Sequence, residues 1–354
     1  MKKMYKTRLS NFKKLLKKNE IDNYLETKEV NIRYLTGFAQ APYPLLVGLN
    51  STYIFIPEML HKQFLSVSPV SSKIHIIIVD NTFLKAFKDI INKNRIKNIG
   101  FCSSTVSVSL YNNLKRAVSL KNTHSLVEQL RIIKDEIEIK YISKACRKTV
   151  EIMKKCPELV KIGNTEINVM RNINTYLRGY CDDLAFSTIT AFGAHTSYPH
   201  HLPSNRKLSN SDIMLIDCGC RYKGYCSDLT RVFFLDKIKA SQIRLKDIYK
   251  AVLYTQEYLI DYIRPGILAK DIDLLARKLL ARYNLDQYFI HSTGHGLGLE
   301  IHEEPGLNKN STQVLKQGMV LTIEPGVYIN RLGGIRIEDT VLITNKGAKV
   351  LTKL

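Results

Sequence analysis

The sequence predicts an α+β chain in two parts: a smaller amino-terminal α/β domain, then a larger α+β domain with a largely antiparallel sheet. Three observations predict it. At 354 residues the chain exceeds what one hydrophobic core ordinarily supports. Its first third alternates short branched apolar runs with helical periodicity. From residue 183 the texture changes to β-branched and aromatic runs that helical segments interrupt.

Taken in order, "MKKMYKTRLSNFKKLLKKNE" is basic and amphipathic, so an exposed helix face accounts for its lysines as well as an RNA-binding arm would. "STYIFIP", "KIHIIIVD" and "IKNIGFC" read as strands and "NTFLKAFKDIINKN" as a helix. The polar "KNTHS" places the domain boundary near residue 124, giving domains 1–124 and 125–354. In "LVEQLRIIKDEIEIKYISKACRKTVEIMKK", Ile137, Tyr141, Ala145 and Ile152 recur at three-to-four spacing, which predicts one long amphipathic helix. "GNTEINVMRNINTYLRGY" opens on Gly-Asn-Thr beside Glu166, a helix start. "FSTITAF", "DIMLID", "LTRVFFL", "VLTIEPGVYI" and "GIRIEDTVLIT" follow as strands, with "RLKDIYKAVLYTQEYLIDYI" and "AKDIDLLARKLLARYN" as the helices between them.

Composition narrows the class. The content is 45% hydrophobic and 24% charged, ordinary for a soluble globular protein. No stretch has the apolar length of a signal core or a membrane span, so a cytoplasmic protein is expected. Seven cysteines without framework spacing are expected to be free thiols, and "CGCRYKGYC" lacks the fourth ligand of a zinc site. The formal charge of +21 could attract nucleic acid, but it is spread along the chain, so no specific nucleic-acid partner is expected.

Asp217 in "IMLIDCG" and Asp228 in "YCSDLTR" put carboxylates into apolar strands, where a charge is costly unless paired. A hairpin turning at Tyr222, Lys223 and Gly224 would centre at (217 + 228)/2 = 222.5 and set the two aspartates opposite each other. Glu324 in "LTIEPG" and Glu338 in "IRIEDT" repeat the arrangement about (324 + 338)/2 = 331. Four such carboxylates are too many for a proton-sharing dyad. With His295 from "STGHGLGLEIHEEPG" they make an oxygen-rich set whose charge two divalent cations would balance. Hard ligands of this kind suit Mn²⁺, with Co²⁺, Fe²⁺ or Zn²⁺ as alternatives. Gly294, Gly296 and Gly298 are expected to let the backbone turn tightly so that His295 points inward.

These residues carry a resemblance. In the order "DCGCRYKGYCSDLTR", "STGHGLGLEIHEEPG", "LTIEPGVYI" and "GGIRIEDT", the chain resembles the M24 metallopeptidases of pita-bread fold, in their Xaa-Pro aminopeptidase and prolidase branch. "VNIRYLTGF" looks like the creatinase-like amino-terminal domain of that branch. The resemblance implies that Asp217, Asp228, His295, Glu324 and Glu338 bind a dinuclear centre, with Asp228 and Glu338 bridging both ions. It implies catalytic roles for His200, His302 and Glu324, and substrate-side roles for His291, His302 and Arg336, with Arg336 also supporting the metal site.

The implied reaction is release of the first residue from peptides with proline second. A metal-bridging hydroxide would attack the scissile carbonyl, His200 or His302 would stabilise the oxyanion, and Glu324 would carry the proton. A proline-containing peptide is the expected partner, and homodimers are common among relatives. Many prolidase-like relatives read His-Glu-x-Pro-Arg, whose arginine can hold a dipeptide's carboxylate, whereas "HEEPG" places Gly306 there. An aminopeptidase is therefore expected over an Xaa-Pro dipeptidase. Methionine aminopeptidase shares the ligands, but "EPG", "RIED" and the amino-terminal domain favour the proline-specific branch. The full ligand set argues against a creatinase-like hydrolase and against a metal-free nucleic-acid binder of the same fold. His195 stands where relatives commonly have Asn, and the sequence gives no account of it.

Overall fold

The computed structural model describes residues 2–235 and 240–354, which divide into a unit ending at Arg131 and a unit Ile132–Leu354. The first comprises α1 (Lys2–Lys18), β1 (Asn23–Glu26), α2 (Glu29–Thr36), β2 (Leu45–Gly48), β3 (Thr52–Ile56), α3 (Glu58–Val67), β4 (His75–Ile78), α4 (Phe83–Lys93), β5 (Asn98–Cys102), α5 (Val108–Leu114), β6 (Ser119–Thr123) and α6 (Leu126–Arg131). Its strands form one mixed sheet in the order β4-β3-β2-β1-β5-β6. Leu25, Leu46, Phe55 and Ile99 of that sheet pack on Phe87, Ile90 and Ile91 of α4. Burying each such side chain contributes about 1.5–3 kcal/mol. In α1 the apolar stripe Leu9, Phe12 and Leu16 is buried while Lys14, Lys17 and Lys18 are exposed, so the basic run is the outer face of an amphipathic helix.

The division falls after Arg131 and not at the polar break near 124. Leu126 and Val127 of α6 are buried, and Arg131 Nη1 donates to Asn31 Oδ1 at 2.7 Å, which ties α6 to the first unit. The expected single long helix is thereby two. Asp135 caps α7 (Glu136–Leu159) in a capping box with Glu138, so the chain restarts its helix there. The buried stripe of α7 runs through Glu138, Ile142, Ala145, Thr149, Met153 and Cys156, leaving Ile137 and Tyr141 half-buried.

The second unit continues with α8 (Glu166–Tyr180), β7 (Asp183–Leu184), β8 (Ile189–Phe192), β9 (Ile213–Cys218), β10 (Cys220–Tyr222), β11 (Tyr225–Cys226), β12 (Leu229–Phe234), α9 (Ala240–Tyr262) and α10 (Ala269–Ala281). It ends with β13 (Gly294–Gly296), β14 (Glu303–Leu307), β15 (Val320–Ile323), β16 (Gly326–Ile329), β17 (Gly333–Arg336), β18 (Asp339–Thr344) and β19 (Gly347–Val350). The sheets run β11-β10-β7, β12-β9-β8, β14-β13-β15-β18-β19 and β16-β17, all antiparallel among the described residues.

Registers decide where the acids fall. The β9–β12 ladder pairs Asp217 with Thr230, not with Asp228. The turn is Lys223–Gly224 between paired Tyr222 and Tyr225, with φ +51° and +80°, the left-handed pair of a type I′ hairpin. Asp217 and Asp228 are thus diagonal neighbours, still on one face because they lie an even step apart. The other hairpin holds the expected centre. Gly326 pairs with Arg336 and Ile323 with Asp339, so Glu324 and Glu338 oppose each other in the gap between the two ladders.

Candidate metal centre

Asp217 is the penultimate residue of β9, Asp228 precedes β12, His295 is central in β13, Glu324 follows β15 and Glu338 joins β17 to β18; all five line one cavity of about 450 Å³. Asp228, His295 and Glu338 each offer a ligand atom within 4.8 Å of the others. His295 Nε2 lies 3.7 Å from Asp228 Oδ2 and 3.5 Å from Glu324 Oε1. The Nδ1–H of His295 donates to the Gly296 carbonyl at 3.0 Å, which leaves the Nε2 lone pair facing the carboxylates.

The carboxylates are held from behind. Arg336 donates through Nη2 to Asp217 Oδ2 at 2.6 Å and through Nε to Thr230 Oγ1 at 3.1 Å, while Thr230 donates to Glu338 Oε2 at 2.6 Å. Arg231 donates to the Glu338 carbonyl and, at 2.8 Å, to Asp339 Oδ1. The inner oxygens, Asp217 Oδ1, Asp228 Oδ1 and Glu338 Oε1, are buried without a hydrogen-bond partner. Buried orphan oxygens are rare, and three on acids that line one cavity fit divalent cations.

Electrostatics agree. Burial, then repulsion from the neighbouring acids, pushes the Asp228 and Glu338 carboxyls well above their ordinary range. Burial lifts Glu324 to about 7 and lowers His295. A set of acids that would rather be neutral is one that cations stabilise as charged.

The glycines of "STGHGLGLE" are explained by close approach and not by a tight turn, since none of Gly294, Gly296 and Gly298 has positive φ. A Cβ on Gly294 would fall inside the Thr322 carbonyl oxygen, and one on Gly296 inside the Glu304 carbonyl oxygen. Strand β13 has no room for side chains flanking His295. We expect Gly294→Ala to cost about 3 kcal/mol, read by urea unfolding of the metal-free protein. A cost under about 1 kcal/mol would show that the strands can spread.

Around this centre stand the histidines. His302 lies edge-on to His295 with ring centroids 4.5 Å apart, and His200 and His302 are both exposed on the cavity wall. Both nitrogens of His291 are engaged, Nδ1 with the Ser292 carbonyl at 2.8 Å and Nε2 with Tyr328 Oη at 3.0 Å, and burial lowers its imidazolium to about 4. Arg336, expected on the substrate side as well, is buried and directs its donors to Asp217, Thr230, Tyr328 and the Pro199 carbonyl. Glu303 is turned away to Lys134 Nζ at 3.1 Å.

Sequence reasoning missed three contributors. Thr230 and Tyr328 gave no signal beyond strand alternation. Glu166 gave one, because it stands on the apolar stripe of Val169, Ile173 and Leu177 yet was read only as a helix start. Its fully buried carboxylate accepts from His195 Nδ1 at 2.9 Å, His201 Nε2 at 2.8 Å, Phe192 N at 2.9 Å, Ser204 N at 2.9 Å and Ser204 Oγ at 2.6 Å. Burial opposes its ionisation, but the bonds from Ser204, His201 and the backbone hold it below its ordinary value. That accounts for His195. Glu166, His195 and His201 could also offer ligand atoms to a metal, but five donors already satisfy Glu166, whereas the acids around His295 keep orphan oxygens.

Glu166 therefore clamps the loop 193–206 that bears His200. We expect Glu166→Gln to lower kcat by about 10²-fold through misplacement of that loop, with bound metal unchanged. Steady-state kinetics alongside metal analysis checks this, and a kcat within twofold of the parent would remove Glu166 from the machinery.

Comparison with known proteins follows the same division. The metallopeptidase family M24 profile matches residues 140–345, and the creatinase/prolidase N-terminal domain profile matches 8–133. An Xaa-Pro dipeptidase of Pyrococcus furiosus is 35% identical over 98% of this chain and 98% of its own. The structure of an Xaa-Pro dipeptidase from Bacillus anthracis superposes with a TM-score of 0.94 at 30% identity, covering 99% of this chain and 98% of that one. An X-Pro aminopeptidase from Thermotoga maritima gives 0.85 at 28% identity, over 95% and 96%.

Proposed function

Because the chain belongs to metallopeptidase family M24, with a creatinase/prolidase N-terminal domain and a pita-bread catalytic domain, we propose that it is a metal-dependent Xaa-Pro dipeptidase. The observation that carries the metallopeptidase reading is the trio of orphan oxygens on Asp217, Asp228 and Glu338, acids that line the same open cavity as His295. The dipeptide reading rests on end-to-end similarity to proteins named Xaa-Pro dipeptidase, which outweighs the expectation of an aminopeptidase drawn from Gly306.

Asp217, Asp228, His295, Glu324 and Glu338 would hold two divalent ions, Mn²⁺ foremost given the hard donor set. When bound, such a pair acidifies water and polarises a scissile carbonyl. His200 and His302, on the cavity wall, supply donors to the developing oxyanion, and Glu324 takes a proton from water and returns it to the leaving nitrogen. Phe186, Ile189, Leu202 and Pro203 give an apolar wall suited to a proline ring, whose nitrogen offers no N–H for ordinary peptidase contacts. No described helix is long and apolar enough to cross a membrane. A cytoplasmic homodimer acting on proline-containing peptides, without specific nucleic acid, completes the reading.

A second reading, Xaa-Pro aminopeptidase, keeps one observation. At Gly306 no charged side chain is present to hold a dipeptide's carboxylate, and Asn308 Nδ2 alone lies close to where a side chain would begin. Hydrolysis of Ala-Pro and of Arg-Pro-Pro, with EDTA and then with added Mn²⁺, decides between them. Faster Mn²⁺-restored cleavage of Ala-Pro supports the dipeptidase, and faster release of arginine from the tripeptide replaces it with the aminopeptidase. Turnover of neither would overturn both.

A further inference from the structure

We propose that Cys181 and Cys220 form a reversible disulfide site that covalently closes the segment bearing His195, His200, His201 and Asp217. The two sulfurs lie 2.7 Å apart, and the backbone around them is already zipped together. Cys181 caps α8 through its N–H to the Leu177 carbonyl at 2.9 Å, Asp182 N donates to the Arg221 carbonyl at 2.7 Å, and β10 pairs Cys220 with Leu184. A disulfide brings sulfurs to about 2.05 Å, so closure needs only a side-chain adjustment.

The two thiols are unequal in a useful way. Cys181 is half-buried and within reach of a small oxidant, while Cys220 is fully buried. The Cys181 thiol donates to the Cys220 sulfur across the 2.7 Å contact, with the Thr149 and Ser227 hydroxyls 3.7 and 3.8 Å from that sulfur, a setting that favours the Cys220 thiolate and keeps Cys181 protonated.

The oxidant is hydrogen peroxide. As the Cys181 thiol passes its proton toward the Cys220 sulfur 2.7 Å away, its sulfur attacks one oxygen of the peroxide, the O–O bond breaks, the leaving oxygen takes up that proton and departs as water, and Cys181 becomes a sulfenic acid. The Cys220 thiolate then attacks that sulfur, the S–S bond forms, and hydroxide leaves with a proton as a second water. Two thiols have given two electrons to one O–O bond. A thiol reductant reverses the change, so the site suits a compartment where disulfides are transient. The inference is independent of the peptidase reading.

The test is thiol counting under denaturing conditions, with peptide mapping, on the full chain before and after hydrogen peroxide. The parent is expected to lose two of its seven thiols, to yield a peptide linking Cys181 to Cys220, and to recover both with dithiothreitol. Cys181→Ser, with 7 − 1 = 6 thiols, is expected to keep all six. Seven thiols surviving in the parent, sulfinic acid at Cys181 without a link, or a link between other cysteines would each overturn the proposal.

Discussion

Asp228→Asn is expected to lose on the order of 10³-fold in kcat/KM for Mn²⁺-supported hydrolysis, more than the roughly 10–100-fold typical for loss of an outer partner. The substitution keeps the shape of the side chain and removes its charge. Asp228 is buried, its Oδ1 has no partner in the protein, and it shares one point in space with His295 and Glu338. An amide there presents a neutral oxygen or an N–H where a cation needs a carboxylate. In the metal-free state the same change replaces a buried carboxyl, which must keep a proton or be repelled by its neighbours, with a neutral amide, so the variant's Tm without metal is expected to equal or exceed the parent's. Lost metal-induced stabilisation with retained intrinsic stability separates a ligand from a merely structural acid. Activity within tenfold of the parent would remove Asp228 from the proposed ligand set.

Stripping the metal is expected to turn the pH dependence of stability downward above neutrality. Burial raises Glu324 to about 7, and burial with mutual repulsion raises Asp228 and Glu338 further, whereas in the unfolded chain such carboxyls ionise near pH 4. Between these limits the folded protein binds more protons than the unfolded one, so stability falls as pH rises. His291, lowered to about 4 by burial, contributes the opposite slope, but only below the roughly 6.5 at which an unfolded histidine titrates. The decline is therefore clean between pH 6.5 and 8, at about 1.4 kcal/mol per pH unit for each proton retained. Metal that binds the charged form reverses it, adding about 2.7 kcal/mol per site at a hundredfold excess over Kd. Thermal unfolding in EDTA and in Mn²⁺ across that range measures both. A metal-free Tm that climbs from pH 6.5 to 8 would contradict the assignment of these acids as a mutually repelling set.

Much of the fold was legible because periodicity reports burial locally. The strands at 52–56, 75–78 and 98–102, the helix at 83–93 and the β-rich carboxy-terminal half follow from patterns a few residues long. Boundaries were less legible. The Asp135–Glu138 capping box was written in the chain, but continuous apolar spacing on either side hid it. Register was legible where the turn was, as at Glu324 and Glu338, and missed by one position in each strand at Asp217 and Asp228, because the Lys223–Gly224 turn moved the centre. The face survived that error, since strand side chains repeat every two residues.

The sequence by itself determined the kinds of donors and their order along the chain, because a carboxylate in an apolar strand and a histidine among glycines are costly without a purpose. Only the tertiary structure decided which oxygen of each acid is tied and which is left open. Arg336, Thr230 and the diagonal of the β9–β12 ladder meet the acids from residues distant in the chain. The same holds for Glu166, whose five donors come from 192 through 204, and for the sulfurs of Cys181 and Cys220. Local patterns carry the cost of burying a group, whereas the partner that offsets that cost is set by contacts the chain makes only once it is folded.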